Sequence, residues 1–442
     1  MASLVEPADL DLVEIPAPFH RARLSAKQIF AICAGTALEV YDYLTYAYFA
    51  VFIGQAFFPS DNPTNTLLAS LGAFAAGFIT RPLGAFVIGR MGDKMGRKPA
   101  MLFSFMMLGV STFALAVTPS HAVIGTAAPV LAVFFRMLQG FALGGEMGPT
   151  TTYLVEAAPI QKRGQYVAFQ YVAMGVAGFS AGLIGVILAN VYDDAGLRDY
   201  GWRIAMLVGV SIIPLGLILR RTLVETLPEQ PHDQAPVQKP DRSHLRTALV
   251  GLIMMSAGAT VAYVLGYFAT YSIHTLGMPA NVAFGATTLN GLCGIVGSFA
   301  GGILADRFGR RPIMIIPWVI MLVSIYPMFW MIATYKSVAA LYATQAVVGI
   351  SGSIGAVTIL VFVTEALPAR IRSSMLSLVF ALATAVFAGM AQFNVAWLTD
   401  YTHNAMAPAW YVLAWVLLGL IAMMFTHETA PARVGEGEVR TQ

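Results

Sequence analysis

Two carboxylic acids, Glu39 and Asp42, stand in a long apolar stretch of the chain. From about residue 31 to residue 58 no other charged side chain occurs, although several tyrosines do. Residues three apart lie on one face of a helix, so Glu39 and Asp42 are expected to face the same way. A carboxylate in apolar surroundings favours its protonated form, and a nearby guanidinium favours the ionised form. Two acids in such a place can therefore take up and release protons.

Three further charged residues, Arg81, Arg136 and Glu146, lie within apolar runs. Ionised side chains at membrane depth are costly and usually face a protein interior or a watery cavity. Their depths predict that Glu39 or Glu146 contacts Arg81 and that Asp42 contacts Arg136, without choosing among these pairs. One acid is in excess, which favours proton coupling. Asp42 is our first candidate for the proton site, Glu39 the second and Glu146 the third.

Arg81 is the preferred contact for an anionic substrate, and Arg136 is the next candidate. A planar guanidinium binds a carboxylate through two hydrogen bonds. A static network that ties helices together is the competing interpretation for all these charges. Neutral side chains in the spans complete the predicted substrate site, although each taken alone is more often a helix–helix contact: Tyr41, Tyr46, Gln139, Gln170, Tyr263, Tyr267, Asn290, Gln345, Gln392, Asn394 and Trp397.

The composition indicates a membrane protein. Of the 442 residues, 57% are hydrophobic and only 11% are charged, whereas soluble domains carry about 25% charged residues. Runs of about 20 apolar residues can cross a bilayer as helices. The sequence predicts an all-α protein with twelve transmembrane helices in two pseudo-symmetric six-helix bundles, at residues 27–57, 65–90, 99–118, 127–157, 164–191, 203–220, 246–273, 282–305, 312–334, 338–366, 373–399 and 408–426.

The distribution of Lys and Arg predicts the orientation. Apart from Arg81 and Arg136, which lie within spans, all of these residues except Arg198, Arg203 and Lys336 fall on one side if both termini share that side. Cytoplasmic loops of membrane proteins carry the excess of Lys and Arg. Both termini are therefore expected in the cytoplasm.

Two loop motifs occur twice in register. Residues 89–99 read GRMGDKMGRKP and residues 302–312 read GILADRFGRRP, while EAAPIQKR at 156–163 matches EALPARIR at 365–372. Because each motif follows the equivalent span of its half, the chain is expected to be a duplication. We predict that the motif charges form a gate at the cytoplasmic face: Asp93, Arg97, Glu156, Arg163, Asp306, Arg310, Glu365 and Arg372.

The same pattern predicts the domain organisation. We expect a cytoplasmic tail at 1–26, a first bundle at 27–220, a linker rich in Pro, Gln and charge at 221–245, a second bundle at 246–427 and a tail at 428–442. Acids before the first apolar run exclude a secretory signal in the amino-terminal tail.

The motif G-x-x-x-D-x-x-G-R-[RK]-P after the second and eighth spans resembles the major facilitator superfamily. Further stretches resemble its metabolite:proton symporters: EVYDY from Glu39, GFITRPLG from Gly77, RMLQGFALGGE from Arg136, YGWR from Tyr200 and RRTLVET from Arg220. The resemblance implies two six-helix bundles around a central cavity. The chain departs from the family at Val40, Met147 and Ala205, and Met147 leaves the substrate contacts beside Glu146 open.

The sequence therefore predicts a proton-coupled importer of a small organic acid, a di- or tricarboxylate, in a bacterial inner membrane. The alternatives are a proton symporter for proline or betaine, proton-driven efflux of a hydrophobic or aromatic compound, and a receptor that no longer transports. The histidines lack metal-ligand spacing, and no phosphate-binding loop occurs. We expect no cofactor, no metal, no enzymatic activity and no nucleic-acid partner. The expected partners are the substrate, protons and membrane lipids, with the monomer as the working unit.

Overall fold

Helices form every regular element in the described part of the protein. The computed structural model describes residues 26–95, 97–144, 147–221, 242–367 and 372–434. The α-helices are α1 (Ala26–Tyr48), α2 (Ala50–Phe57), α3 (Pro63–Ile79), α4 (Arg81–Met95), α5 (Arg97–Val117), α6 (His121–Ile124), α7 (Ala127–Leu143), α8 (Met147–Ala157), α9 (Arg163–Val191), α10 (Asp194–Gly196), α11 (Trp202–Arg221), α12 (Arg242–Thr270), α13 (Ala280–Phe308), α14 (Arg310–Tyr335), α15 (Val338–Ala366), α16 (Arg372–Leu382), α17 (Ala391–Thr402), α18 (Ala407–Met424) and α19 (Pro431–Val434).

Among the described residues, helices occupy all twelve predicted ranges. In the described residues, eight helical segments are long and apolar enough to cross a membrane, and Leu102–Val117 and Ala127–Leu143 are apolar but shorter. Large apolar side chains such as Phe86, Val110 and Val323 lie exposed on the outer surface, as expected for a protein surrounded by lipid. The prediction of a helical protein with many spans is confirmed, and the number twelve remains a prediction.

The second predicted span is broken in its middle, between α3 and α4. The hydroxyl of Thr80 donates to the carbonyl oxygens of Gly77, at 3.1 Å, and Met137, at 2.6 Å. Pro82 follows at the second position of α4, where a proline is tolerated because the first N–H groups of a helix have no partner inside it. The break places Arg81 at the start of α4, deep in the molecule.

The amino-terminal half (residues 26–221) meets the carboxyl-terminal half (residues 242–434) along α9 and α13. A Cβ atom on Gly164 would lie 2.7 Å from the carbonyl oxygen of Gly302, and one on Gly291 would lie 2.1 Å from the backbone nitrogen of Phe179. Small residues allow membrane helices to approach this closely. The two halves therefore pack backbone against backbone along this seam.

Two ends of the molecule can be distinguished by their loops. We call the end that carries residues 158–162, Gly309 and Leu367 the basic end, because the basic loop motifs lie there. This end is the one that the sequence predicts to be cytoplasmic.

Candidate functional site

Asp42 and Arg136 lie close together in the interior of the amino-terminal half. They come from α1 and α7, and only 5% and 3% of their surfaces are exposed. Oδ2 of Asp42 lies 3.7 Å from Nη1 of Arg136. A charge-assisted hydrogen bond is about 2.7–2.9 Å long, so the two groups attract each other without forming a direct hydrogen bond.

Two neutral side chains hold this pair, and we call the four residues Asp42, Thr112, Arg136 and Gln139 the Asp42 cluster. Arg136 donates to Oε1 of Gln139 at 2.7 Å. The amide nitrogen of Gln139 donates to Oδ1 of Asp42 at 3.3 Å and to the hydroxyl of Thr112 at 2.9 Å. The Thr112 hydroxyl in turn donates to Oδ1 of Asp42 at 2.7 Å. Oδ1 is thus well bonded, while Oδ2 has no hydrogen-bond partner in the described structure.

Aromatic rings position the guanidinium of Arg136. Its Cζ lies 4.4 Å from the centroid of the Tyr46 ring and 5.1 Å from that of Phe74. The Tyr46 hydroxyl donates to the carbonyl oxygen of Ser70 at 3.1 Å. Cation–π contacts of this kind stabilise a desolvated guanidinium. Arg136 is therefore held without a second acid.

Arg81 lies beside the Asp42 cluster and faces the carboxyl-terminal half. Its guanidinium packs 4.2 Å from the centroid of the Phe78 ring, and it interacts electrostatically with Asp42. The hydroxyl of Tyr263, on α12, lies within hydrogen-bonding reach of Arg81 and also interacts with Glu39. Arg81 and Glu39 thus approach the same tyrosine, which links the charged side chains of one half to the other half.

A small cavity opens beside Arg81, between the two halves. Arg81, Leu143 and Gly144 line it on one side, and Ser377, Phe380, Ala381 and Thr384 line it on the other. Its volume is about 10 Å³, which is the space of one water molecule at most. A larger guest requires the two halves to move apart here.

Three predicted substrate contacts from the carboxyl-terminal half are neutral amides, of which Gln345 and Gln392 are buried. Gln345 is fully buried, and neither polar atom of its side chain has a hydrogen-bond partner in the described structure. Asn290 donates to the backbone oxygen of Gln345 at 3.4 Å. Gln392 donates to the backbone oxygen of Tyr263 at 3.1 Å. Gln392 thus contacts Tyr263, the residue whose hydroxyl reaches Arg81.

Other predicted contacts tie helices together. Tyr41 donates through its hydroxyl to the carbonyl oxygen of Ala205 at 2.8 Å, which joins α1 to α11. Thr151 donates to Oε1 of Gln170 at 3.0 Å, which joins α8 to α9. Tyr267 is buried in the core of the molecule. The structure does not bring these side chains into the Asp42 cluster.

Asn394 and Trp397 each contact a tyrosine. Asn394 donates to the Tyr411 hydroxyl at 3.4 Å. Trp397 is 48% exposed and stacks on Tyr401, and its place in the substrate site stays a prediction. The apolar pattern of a membrane helix does not distinguish an inward aromatic ring from an outward one. Glu146, the third candidate for the proton site, lies outside the described residues.

A second group of charges lies at the basic end, and we call Arg163, Asp306, Arg310 and Glu365 the end cluster. Nη1 of Arg310 lies 2.7 Å from Oδ1 of Asp306. Its Nη2 and Nε donate to Oε1 and Oε2 of Glu365 at 3.1 and 3.2 Å. Arg310 is fully buried. The arginine is thus bonded to two acids, with a bidentate contact to one of them.

The end cluster also crosses between the halves. Asp306 of the carboxyl-terminal half accepts hydrogen bonds from the backbone N–H groups of Gly164 and Gln165, at 2.8 and 3.0 Å. These N–H groups begin α9, where a negative charge is stabilising. Arg163 lies 3.6 Å from Glu365. The basic end is therefore closed by contacts between the halves.

The repeated motif at 156–163 and 365–372 pairs crosswise. Arg163 faces Glu365, and Arg372 interacts electrostatically with Glu156. Arg372 also donates to the backbone oxygen of Leu367 at 3.1 Å. Burial and the neighbouring Arg163 lower the pKa of Arg372, and the two acids oppose that shift. The side chains of the other two predicted gate residues, Asp93 and Arg97, lie outside the described part.

Sequence reasoning missed Glu428 and Thr429, which it assigned to a tail. Glu428 accepts hydrogen bonds from the backbone N–H groups of Arg310 and Arg311, at 2.7 and 3.1 Å, and so caps α14. The Thr429 hydroxyl donates to Oε2 of Glu365 at 2.9 Å. An acid and a threonine directly after the last apolar run were the available signal. Thr112 was also missed, because a threonine in an apolar helix usually bonds its own backbone.

Buried charges inside a shell of apolar helices, with a charged closure at one end, define a membrane transporter rather than an enzyme. Comparison with known proteins names the family. The family model for the Major Facilitator Superfamily matches residues 42–383 and 284–441. The chain belongs to this superfamily, as the loop motifs predicted.

Curated relatives confirm the resemblance to metabolite:proton symporters. The chain is 30% identical to a citrate-proton symporter of Klebsiella pneumoniae over 411 residues, covering 92% of each chain. It is 32% identical to the alpha-ketoglutarate permease of Escherichia coli over 415 residues, covering 91% of this chain and 94% of the relative. It is 29% identical to the proline/betaine transporter of Escherichia coli, covering 91% and 84%.

Solved structures agree on the fold. The crystal structure of a D-xylose-proton symporter superposes with a TM-score of 0.73 at 19% identity, covering 93% of this chain and 99% of that one. The identity is low, so this likeness concerns the fold alone.

Proposed function

We propose that this protein is a proton-coupled importer of a small organic acid, a di- or tricarboxylate. It works by alternating access in a bacterial inner membrane, as a monomer with both termini in the cytoplasm. The relatives named for citrate and alpha-ketoglutarate support the substrate class. The geometry around Asp42 supports proton coupling.

The single observation that carries proton coupling is the state of the two Asp42 oxygens. Oδ1 accepts hydrogen bonds from Thr112 and Gln139, whereas Oδ2 faces Arg136 at 3.7 Å without a hydrogen bond. A carboxylate oxygen that lacks a donor can bind a proton without losing an existing bond. The acid remains ionised only while nearby guanidinium groups offset its burial.

Arg81 provides the link between proton and substrate. It interacts electrostatically with both Asp42 and Arg136, and it lines the cavity between the halves. A substrate carboxylate bound to Arg81 compensates that positive charge. Asp42 then loses part of its stabilisation as an anion and binds a proton, so substrate and proton cross together.

The end cluster acts as the cytoplasmic gate in this proposal. The contacts of Asp306 and Glu365 with the start of α9 close the basic end. Rocking of one half against the other must break these contacts to release substrate. Arg310 keeps its own bonds to Asp306 and Glu365 during this motion, since all three residues belong to one half.

Uptake into proteoliposomes tests the proposal. The purified protein is supplied with a panel of radiolabelled citrate, alpha-ketoglutarate, malate, proline and betaine, with and without an inward proton gradient. We expect the gradient to drive accumulation of a di- or tricarboxylate. Asp42→Asn keeps the oxygen that accepts from Thr112 but cannot bind a proton, so it should abolish accumulation and retain counterflow exchange.

Asp400→Asn is the matched control, because Asp400 is an exposed acid of the carboxyl-terminal half. This variant should accumulate substrate as the unchanged protein does. Accumulation by Asp42→Asn would exclude Asp42 as the proton site. Transport of proline or betaine alone, or export of an aromatic compound, would replace the proposed substrate class.

A further inference from the structure

The eleventh predicted span presents hydroxyl groups to the arginine that we assign to substrate. Ser377 and Thr384 lie two turns apart on this span and line the cavity beside Arg81. The Arg81 side of the cavity belongs to the amino-terminal half, and the hydroxyl side belongs to the carboxyl-terminal half. A molecule bound here would touch both halves at once.

The two hydroxyls differ in how they are engaged. Thr384 donates its hydroxyl hydrogen to the backbone oxygen of Phe380 at 2.9 Å, which leaves its oxygen able to accept. The Ser377 hydroxyl has no hydrogen-bond partner among the described residues. A hydroxyl group can donate one hydrogen bond and accept others. The pair therefore offers one donor and two acceptors to a polar guest.

The backbone on both walls of the cavity departs from ordinary helix packing. A turn of π-helix spans Ala383–Ala388, and such turns are rare in helices and frequent at functional sites. On the opposite wall, a Cβ on Gly144 would lie only 2.1 Å from the carbonyl oxygen of Arg81. This glycine allows α7 to pack directly against the start of α4, so that Arg81 reaches the cavity.

We propose that Ser377 and Thr384 form the second half of the substrate site and bind an oxygen substituent of the carboxylate held by Arg81. The substrate class is then a di- or tricarboxylate that carries a hydroxyl or keto group. This inference rests on the proposed function and goes beyond it, because the substituent selects among carboxylates of equal charge. The apolar walls formed by Leu143 and Phe380 enclose the carbon skeleton.

The site also provides a reason for the two halves to close. The cavity of about 10 Å³ is far smaller than a tricarboxylate, so the halves part to admit substrate. A substrate that bonds to Arg81 on one side and to Ser377 and Thr384 on the other draws them together again. Binding and occlusion are thus coupled through the same contacts.

Competition between paired acids tests this inference. Each pair has the same charge, and its members differ in one oxygen substituent: citrate and tricarballylate, malate and succinate, alpha-ketoglutarate and glutarate. Counterflow of the labelled substrate is measured against increasing amounts of each competitor. A neutral hydrogen bond contributes about 0.5–1.5 kcal/mol, so Ser377→Ala should reduce the preference for the oxygen-bearing member by about 2- to 10-fold.

Thr384→Val is the second variant and should reduce the same preference. Ser324→Ala is the control, because Ser324 lies on α14, outside the residues that line the cavity, and donates to the backbone of its own helix. The inference is overturned if the preference is unchanged in both cavity variants, or if affinity for both members of a pair falls equally. Failure of the unchanged protein to carry any acid would instead refute the proposed function itself.

Discussion

The Asp42 cluster and the end cluster both hold buried acids against arginine, but they are bonded in different ways. In the end cluster, Arg310 makes contacts of 2.7–3.2 Å to two acids. In the Asp42 cluster, the acid and the arginine are 3.7 Å apart and a neutral amide donates to one and accepts from the other. The first arrangement saturates its charges, and the second leaves one carboxylate oxygen without a donor.

We infer from this difference that the end cluster is a fixed structural contact and that the Asp42 cluster can change its charge. Protonating an acid of the end cluster would break direct hydrogen bonds to a buried cation, which is unfavourable. Protonating Asp42 at Oδ2 breaks none. The predicted substrate contacts Gln345 and Gln392, buried in the carboxyl-terminal half, are neutral, whereas the acid that we propose for proton coupling lies in the amino-terminal half.

The largest effect is expected from removing the arginine of the end cluster. Arg310→Ala leaves Asp306 and Glu365 buried near each other without their shared cation. Loss of one partner of a buried ion pair costs about 3–5 kcal/mol, so the free energy of unfolding should fall by about that amount. Thermal and denaturant unfolding of the purified protein in detergent measures the change.

The neighbouring variant Arg311→Ala is the control for Arg310→Ala, because Arg311 is exposed. Its free energy of unfolding should change by less than about 1 kcal/mol. Equal losses of unfolding free energy in the two variants would show that the end cluster does not stabilise the fold as its short hydrogen bonds indicate.

A smaller effect is expected from removing a hydrogen-bond donor to Asp42, the proposed proton site. Thr112→Val removes the hydroxyl that donates to Oδ1 of Asp42, a bond that stabilises the ionised form. A hydrogen bond to a charged group contributes about 1.5–3 kcal/mol, and about 1.36 kcal/mol corresponds to one pH unit. The pH at which uptake is half-maximal should therefore rise by about one to two units.

The profile of initial uptake rate against pH measures this shift. Thr402→Val serves as the control, because the exposed Thr402 donates only to its own helix, and its profile should not move. A profile that moves downward, or not at all, in Thr112→Val would place the titrating group elsewhere.

The smallest effect concerns the segment after the last long helix. Thr429→Val removes one hydrogen bond to Glu365 and leaves Arg310 in place. The free energy of unfolding should fall by about 1–2 kcal/mol, the contribution of a hydrogen bond to a charged group or slightly less. This is a fraction of the effect expected for Arg310→Ala. A loss as large as that of Arg310→Ala would show that Thr429, rather than Arg310, is the main stabilising partner of Glu365.

The sequence predicted the fold well where composition and repetition were sufficient. Helices occupy each predicted range because about 20 apolar residues in lipid must satisfy their backbone groups internally. The motifs that occur twice, around Asp306 and Glu365, pointed to the end cluster because two copies in register have a common structural cause. Superfamily membership followed from the same motifs and is confirmed by the family model.

The site was predictable only in part. Charged residues in apolar helices stand out, so Asp42, Arg81 and Arg136 were found directly. Thr112, Ser377 and Thr384 have ordinary side chains for membrane helices, and nothing in their spacing separates a hydroxyl that faces a carboxylate from one that bonds its own backbone. Trp397 is exposed and stacks on Tyr401, and nothing in its span indicated that exposure beforehand.

What the sequence determined by itself is that charged side chains stand within the apolar helices, because the cost of burying an ionised group makes each of them conspicuous. Only the tertiary structure decided which of these side chains contact each other. The 3.7 Å separation of Asp42 and Arg136, the bidentate contact of Arg310 with Glu365 and the hydroxyls opposite Arg81 all join residues far apart in the chain. Their distances depend on how helices rotate and pack, and glycines such as Gly144 and Gly291 set that packing through contacts that no single helix contains.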